Sequence, residues 1–155
     1  MLTEILFYQA SNYSLEEILQ KLLAKTLQSK QRVIVRLNDL DYLTFVDNFL
    51  WSFSGASFLP HNIMGDPNSS LSPVYLTTGE EVPNAANILI LINATKLSLS
   101  TFSRFNRSCL LFSESNKQCV SEHKKLWELA ISDGIPSKFW VQSKTGWKEK
   151  GKKVC

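Results

Sequence analysis

The run Ile88-Leu89-Ile90-Leu91-Ile92 constrains this chain more than any other stretch. Successive side chains of a strand point to opposite faces, so a strand with one wet face alternates apolar and polar residues. Here nothing alternates. Both faces must be buried, as in the middle of an α/β sheet. The run is also the longest apolar one, and it falls far short of the ~20 residues that a membrane span needs.

The flanking sequence fits such a sheet. Residues 2–8 are apolar apart from Thr3 and Glu4, and read as a strand entering a core. Ser14-Leu15-Glu16-Glu17 is a capping box: the serine oxygen accepts an orphan helix N–H and the glutamate reaches back. Leu15, Ile18, Leu19, Leu22, Leu23 and Leu27 then recur at three and four, which predicts a helix with one apolar face to about Ser29. Val33-Ile34-Val35 is a buried strand. Asp39 or Asp41 opens a second helix, with Tyr42, Phe45, Val46, Phe49 and Leu50 facing inward. Strand, helix, strand, helix at these lengths implies parallel strands joined by helical crossovers.

Residues 66–73 form a polar loop, and 73–76 read as a short edge strand because Pro73 cannot donate to a ladder. Residues 99–105 predict a short helix and 109–112 a strand. Residues 116–133 predict a long helix, stopped by Gly134 where a left-handed residue is needed. Residues 138–142 form the last strand. Lysines then dominate. The expectation is one α/β domain over 1–143, its sheet mostly parallel with helices on both faces, and a flexible lysine-rich tail over 144–155.

At 155 residues and 44% hydrophobic the chain can bury a real core. Its net charge of +3 is a mild excess. A protein gripping duplex phosphates needs a denser basic stripe, whereas a weakly basic domain suits an acidic peptide. Cys109, Cys119 and Cys155 have no metal-like spacing and are odd in number, which points to reduced thiols and a cytoplasmic protein. The opening "MLTEILFYQA" has no basic n-region and carries Glu4, unlike a signal peptide. The Asn-x-Ser/Thr triplets at Asn12, Asn68, Asn93 and Asn106 are then chance matches.

An α/β sheet invites a nucleotide, but the required chemistry is missing from the sequence. A dinucleotide site needs glycines after the first strand so that backbone N–H groups can close on a pyrophosphate. Here the turn is Gln9-Ala10-Ser11-Asn12-Tyr13. Gly151-Lys152-Lys153 opens no helix, and there is no Gly-x-Ser-x-Gly elbow. Two histidines, His61 and His123, cannot make a three-histidine metal site. No cofactor is expected. His61 lies in Ser57-Phe58-Leu59-Pro60-His61-Asn62-Ile63-Met64-Gly65-Asp66. A general base needs an orienting acid and a nucleophile or substrate. Asp66 and nearby serines are uninformative neighbours in so serine-rich a chain, so His61 reads as a loop residue bonded to backbone. Cys109, inside an apolar strand, reads as core.

Several pieces together resemble a known family. They are Phe7-Tyr8 closing the first strand, Leu50-Trp51 ending the second helix, and Ser57-Phe58-Leu59-Pro60-His61-Asn62 after it. Lys124-x-x-Trp127 on the late helix, seven residues before Gly134, and the ending "WVQSKTGWKEK" complete the set. Their order and spacing over about residues 1–147 are similar to the chi subunit of bacterial DNA polymerase III holoenzyme.

The resemblance implies a three-layer, Rossmann-like sandwich without a nucleotide, acting as a non-catalytic replisome adaptor. It implies three partners: the psi subunit of the clamp-loader assembly, the acidic C-terminal tail of single-stranded DNA-binding protein, and in some members a helicase of the Rad3/XPD group. It assigns the psi or helicase surface to Trp51, Phe58 and Pro60. A rigid aromatic and proline cluster is a suitable hot spot, although the same residues could cap the core. It assigns the tail site to Lys124 and Trp127, three apart on one helix; Lys125, Lys117 and His123 are neighbours that supply charge to compensate for Glu128. A cation beside an aromatic wall suits a peptide ending in a hydrophobic residue with a free carboxylate. The alternative is a solvated helix face with Trp127 in the core. Glu128 stands where the family often has a basic residue. Two other classes compete: a single-stranded nucleic-acid binder using Lys144, Lys148, Lys150, Lys152 and Lys153 with aromatics, and a small α/β enzyme, which the missing phosphate loop disfavours.

Overall fold

The computed structural model describes residues 3–11, 14–52 and 61–150. Among these residues, eight strands form a single sheet in the order β3-β4-β2-β5-β6-β1-β7-β8. The strands are β1 (Glu4–Ala10), β2 (Val33–Arg36), β3 (Asn62–Ile63), β4 (Val74–Thr77), β5 (Ile88–Ile92), β6 (Arg107–Ser113), β7 (Ser137–Ser143) and β8 (Gly146–Lys150). Every pairing is parallel except β7 with β8.

The sequence dictates the layering through the two-residue period of a strand. Val33 and Val35, Ile88, Ile90 and Ile92, and Cys109 and Leu111 point to one face. There they meet helices α1 (Leu15–Gln28) and α2 (Leu40–Ser52). Ile34, Leu89, Leu91, Leu110 and Phe112 point to the other face, against α3 (Lys117–Ser132) and the 3-10 turn Leu99–Phe102. All five residues of β5 are buried, as its unbroken apolar run requires. The expected α/β sandwich with a mostly parallel sheet is therefore present, with helices on both faces.

The helix ends obey local chemistry. Ser14 Oγ accepts the Glu17 N–H at 3.2 Å, Asp39 Oδ1 accepts the Tyr42 N–H at 2.7 Å, and Asn116 Oδ1 accepts the Cys119 N–H at 3.2 Å. Past α3, Gly134 takes φ +73, a region that glycine enters without steric cost.

Four details differ from the sequence expectations. First, α2 buries Leu43, Val46 and Leu50, while Phe45 is 53% exposed and Tyr42 and Phe49 are half-buried. The aliphatic stripe packs on the sheet; Phe45 stacks on Tyr42 at 6.1 Å on the outer side. Second, β4 is not an edge. Asn62–Ile63 pairs beyond it, and Pro73 stands just before the strand, needing no donor because its carbonyl accepts the Val33 N–H. Third, the short helix after β5 is a single 3-10 turn. Fourth, residues 146–150 are not a frayed tail: Gly146, at φ +129, turns the chain back and β8 pairs antiparallel with β7.

Candidate functional site

Two regions carry the residues singled out by sequence. The first is the C-terminal end of α2. Trp51 is 53% exposed there, and its indole lies on the imidazole of His61 with ring centroids 4.3 Å apart. His61 itself is buried, with Nε2 2.8 Å from Asp47 Oδ1. A carboxylate oxygen only accepts, so Nε2 carries the proton and donates. Asp47 is one helical turn before Trp51, which puts both on the same side of α2. The segment entering β3 is thereby clamped to the helix carrying the exposed indole. Asn62 donates to Asp66 Oδ2, and Asp66 Oδ1 accepts the Asn68 N–H at 2.8 Å. These two bonds, the backbone one first, hold the Asp66 carboxyl below the usual carboxylate range. Side chains of Asp47 and Asp66 are thus among the groups that hold His61 and Asn62. Phe58 and Pro60, expected to share this surface, lie outside the described residues.

The second region lies between α3 and β8. A shallow cavity of about 380 Å³ is lined by Gln9, Lys124, Val141, Ser143, Lys148, Glu149 and Lys150. Three lysines against one glutamate make it a basic cavity, with Val141 as an apolar wall. Lys124 is where the sequence places it. Trp127 is not: it is 3% exposed and packs on Phe139 at 5.1 Å, so it belongs to the core. The reason is helical geometry. Residues three apart differ by roughly 60° around the axis, enough to put Lys124 at the rim and Trp127 beneath the helix. Trp127 still shapes the site from below, because Lys150 Nζ lies 6.0 Å from its ring centroid and 5.5 Å from that of Phe139.

Lys125 is exposed but outside the cavity lining, as is Glu128. His123 cannot add charge there. It is fully buried, stacked on Phe112 at 4.2 Å, and its Nδ1 donates to the Cys119 carbonyl at 2.7 Å. Its Nε2 is buried with no hydrogen-bond partner among the described residues. Burial pushes its pKa below the ordinary histidine value. Cys109 is buried in β6, its thiol pushed up to about 12 by desolvation; such a group is core, not nucleophile.

By sequence, Lys148 and Lys150 fall in a tail, as candidate contacts for single-stranded nucleic acid, and are not joined to Lys124. The available signal was Ser143-Lys144-Thr145-Gly146 followed by Trp147-Lys148-Glu149-Lys150, a turn glycine and then a strand of long side chains. Among the described residues no group of three or more His, Cys, Asp or Glu could hold a metal ion, and no helix is long and apolar enough to cross a membrane.

Known proteins resemble this chain in sequence. A curated protein of Rickettsia prowazekii (strain Madrid E), named "Probable DNA polymerase III subunit chi", is 26% identical over 91 residues, covering 59% of this chain and 55% of that protein. The chain thus spans about half the length of that relative. The profile of the family described as "DNA polymerase III chi subunit, HolC" matches residues 2–138, which take in β1 to β6 and all three helices and end at the start of β7, before β8. On that match the chain belongs to the DNA polymerase III chi subunit family.

Proposed function

We propose that the chain is a non-catalytic adaptor of the replication machinery, and that it holds the acidic C-terminal tail of single-stranded DNA-binding protein in the α3–β8 cavity. The observation that carries this reading is the convergence of Lys124, Lys148 and Lys150 around Val141. Ammonium groups beside an apolar wall match a peptide that ends in a hydrophobic residue and a carboxylate. Lys125 stands next to the rim, where it steers an acidic chain inward without lining the cavity. On the opposite side of the sheet, Trp51 backed by His61 is the anchor for the clamp-loader psi subunit or a Rad3/XPD-related helicase; the family resemblance adds Phe58 and Pro60, which lie outside the described residues. A half-exposed indole held on a buried ring is preorganised, so little side-chain entropy is lost on docking.

The test is a calorimetric titration of a synthetic acidic tail peptide and, separately, of oligo-dT, each at two salt concentrations. The adaptor reading expects saturable peptide binding and no comparable oligo-dT affinity. Tighter binding of oligo-dT with a steep salt slope would instead assign the lysines to single-stranded nucleic acid.

A further inference from the structure

The β8 strand divides its side chains between the two faces of the sheet. Lys148 and Lys150 go to the α3 side, while Trp147 goes to the α1 side and packs against the core there. On that side a second cavity, of about 230 Å³, lies between α1, β1 and β8. It is lined by Tyr8, Ile18, Leu22 and Trp147 and bordered by Lys21, Lys25 and Glu17. Tyr8 and Trp147 meet edge to face, their centroids 5.6 Å apart and their planes at 87°. This pair forms two walls of a corner.

We propose that this corner is a second peptide-docking site, which takes an apolar side chain flanked by acidic residues in a partner protein. The size suits a ring, since a cavity of ~150 Å³ already admits benzene. Perpendicular aromatic walls offer one ring face and one ring edge, which satisfies both preferred packings of an inserted aromatic. Lys21 and Lys25 are exposed and one turn apart on α1, spaced to meet carboxylates on either side of the inserted residue. Glu17 borders the other end of the cavity. Its carboxylate accepts a peptide N–H, while the acidic side chains of the ligand lie toward Lys21 and Lys25. The site does not depend on the function proposed for the α3–β8 cavity.

The probe is the amidated peptide acetyl-Asp-Glu-Phe-Glu-Asp-amide, which has no free C-terminal carboxylate, titrated into the Lys124→Ala chain to silence the α3–β8 cavity. Binding is read by two-dimensional NMR from the backbone signals of Lys21, Leu22 and Lys25 and the Trp147 indole N–H. We expect these signals to shift together. A Lys21→Glu/Lys25→Glu chain, altered only on an exposed helix face, is expected to bind at least tenfold more weakly with its folded spectrum intact. A Phe-to-Ala peptide is expected not to saturate. The proposal is overturned if the charge-reversed chain binds as well as its parent. It is also overturned if the shifts fall elsewhere, or if oligo-dT moves the same signals at lower concentration than the peptide does.

Discussion

The indole of Trp51 rests on the imidazole of His61, ring centroids 4.3 Å apart, so an exposed aromatic is held by a buried one. The two residues should therefore separate stability from docking. His61→Ala removes a buried ring and the bond to Asp47, and is expected to cost about 2–3 kcal/mol in urea unfolding. Trp51→Ala removes mostly exposed surface. It should cost under about 1 kcal/mol while abolishing capture of a psi-like or helicase partner in a pull-down. Full partner recovery by Trp51→Ala would remove α2 from the docking surface.

Trp127 supports the α3 face from inside the core. Trp127→Ala is expected to destabilise the fold by about 3–5 kcal/mol, measured by chemical denaturation. Trp127→Phe should cost much less, because the indole N–H is buried without an acceptor among the described residues and its loss leaves no polar group stranded. Equal losses for the two variants would contradict this placement.

His123 makes stability depend on pH. Its Nδ1–H is committed to the Cys119 carbonyl, and protonating Nε2 would place a charge in a site with no partner among the described residues. The folded pKa is therefore below the unfolded value of 6.5. Between the two values the unfolded chain binds the proton and the folded chain does not, so stability rises with pH. This contribution is complete above 6.5 and is lost as pH falls from there through the folded pKa. Urea midpoints taken from pH 7.5 to 5 should fall, and His123→Leu should flatten the decline over that window.

The β7–β8 turn depends on Gly146. At φ +129 a branched side chain is strained, although the space around the position is open. Gly146→Val is expected to cost about 1–3 kcal/mol and to weaken tail-peptide binding by displacing Lys148 and Lys150. Lys148→Ala should weaken binding with little change in the unfolding midpoint. Denaturation and calorimetry on the same preparations distinguish the two effects.

How much was legible in the sequence varies by element. Ile88–Ile92 could be placed because burial of both faces leaves a single reading. Ser14 and Gly134 announced their helix ends through one hydrogen bond and one dihedral. Phe45 was misplaced because periodicity weighs an aromatic like an aliphatic; the sheet took the slimmer Leu43, Val46 and Leu50 and left the ring outside. β8 was missed because an edge strand carrying lysines has the composition of a solvated tail, and only pairing with β7 makes it a strand. The same omission hid half of the α3–β8 cavity, whose Lys148 and Lys150 come from that strand. Lys124 came from the family resemblance; its companion Val141, on β7, needed the tertiary structure.

The most direct test of the adaptor account is the affinity of an acidic peptide with a hydrophobic C-terminal residue for the wild-type chain and for Lys124→Ala and Lys150→Ala, measured by calorimetry. The account predicts a loss of about tenfold or more in each variant, with unfolding midpoints unchanged for Lys124→Ala and wild-type affinity falling as salt is raised. Wild-type affinity in both variants would contradict it.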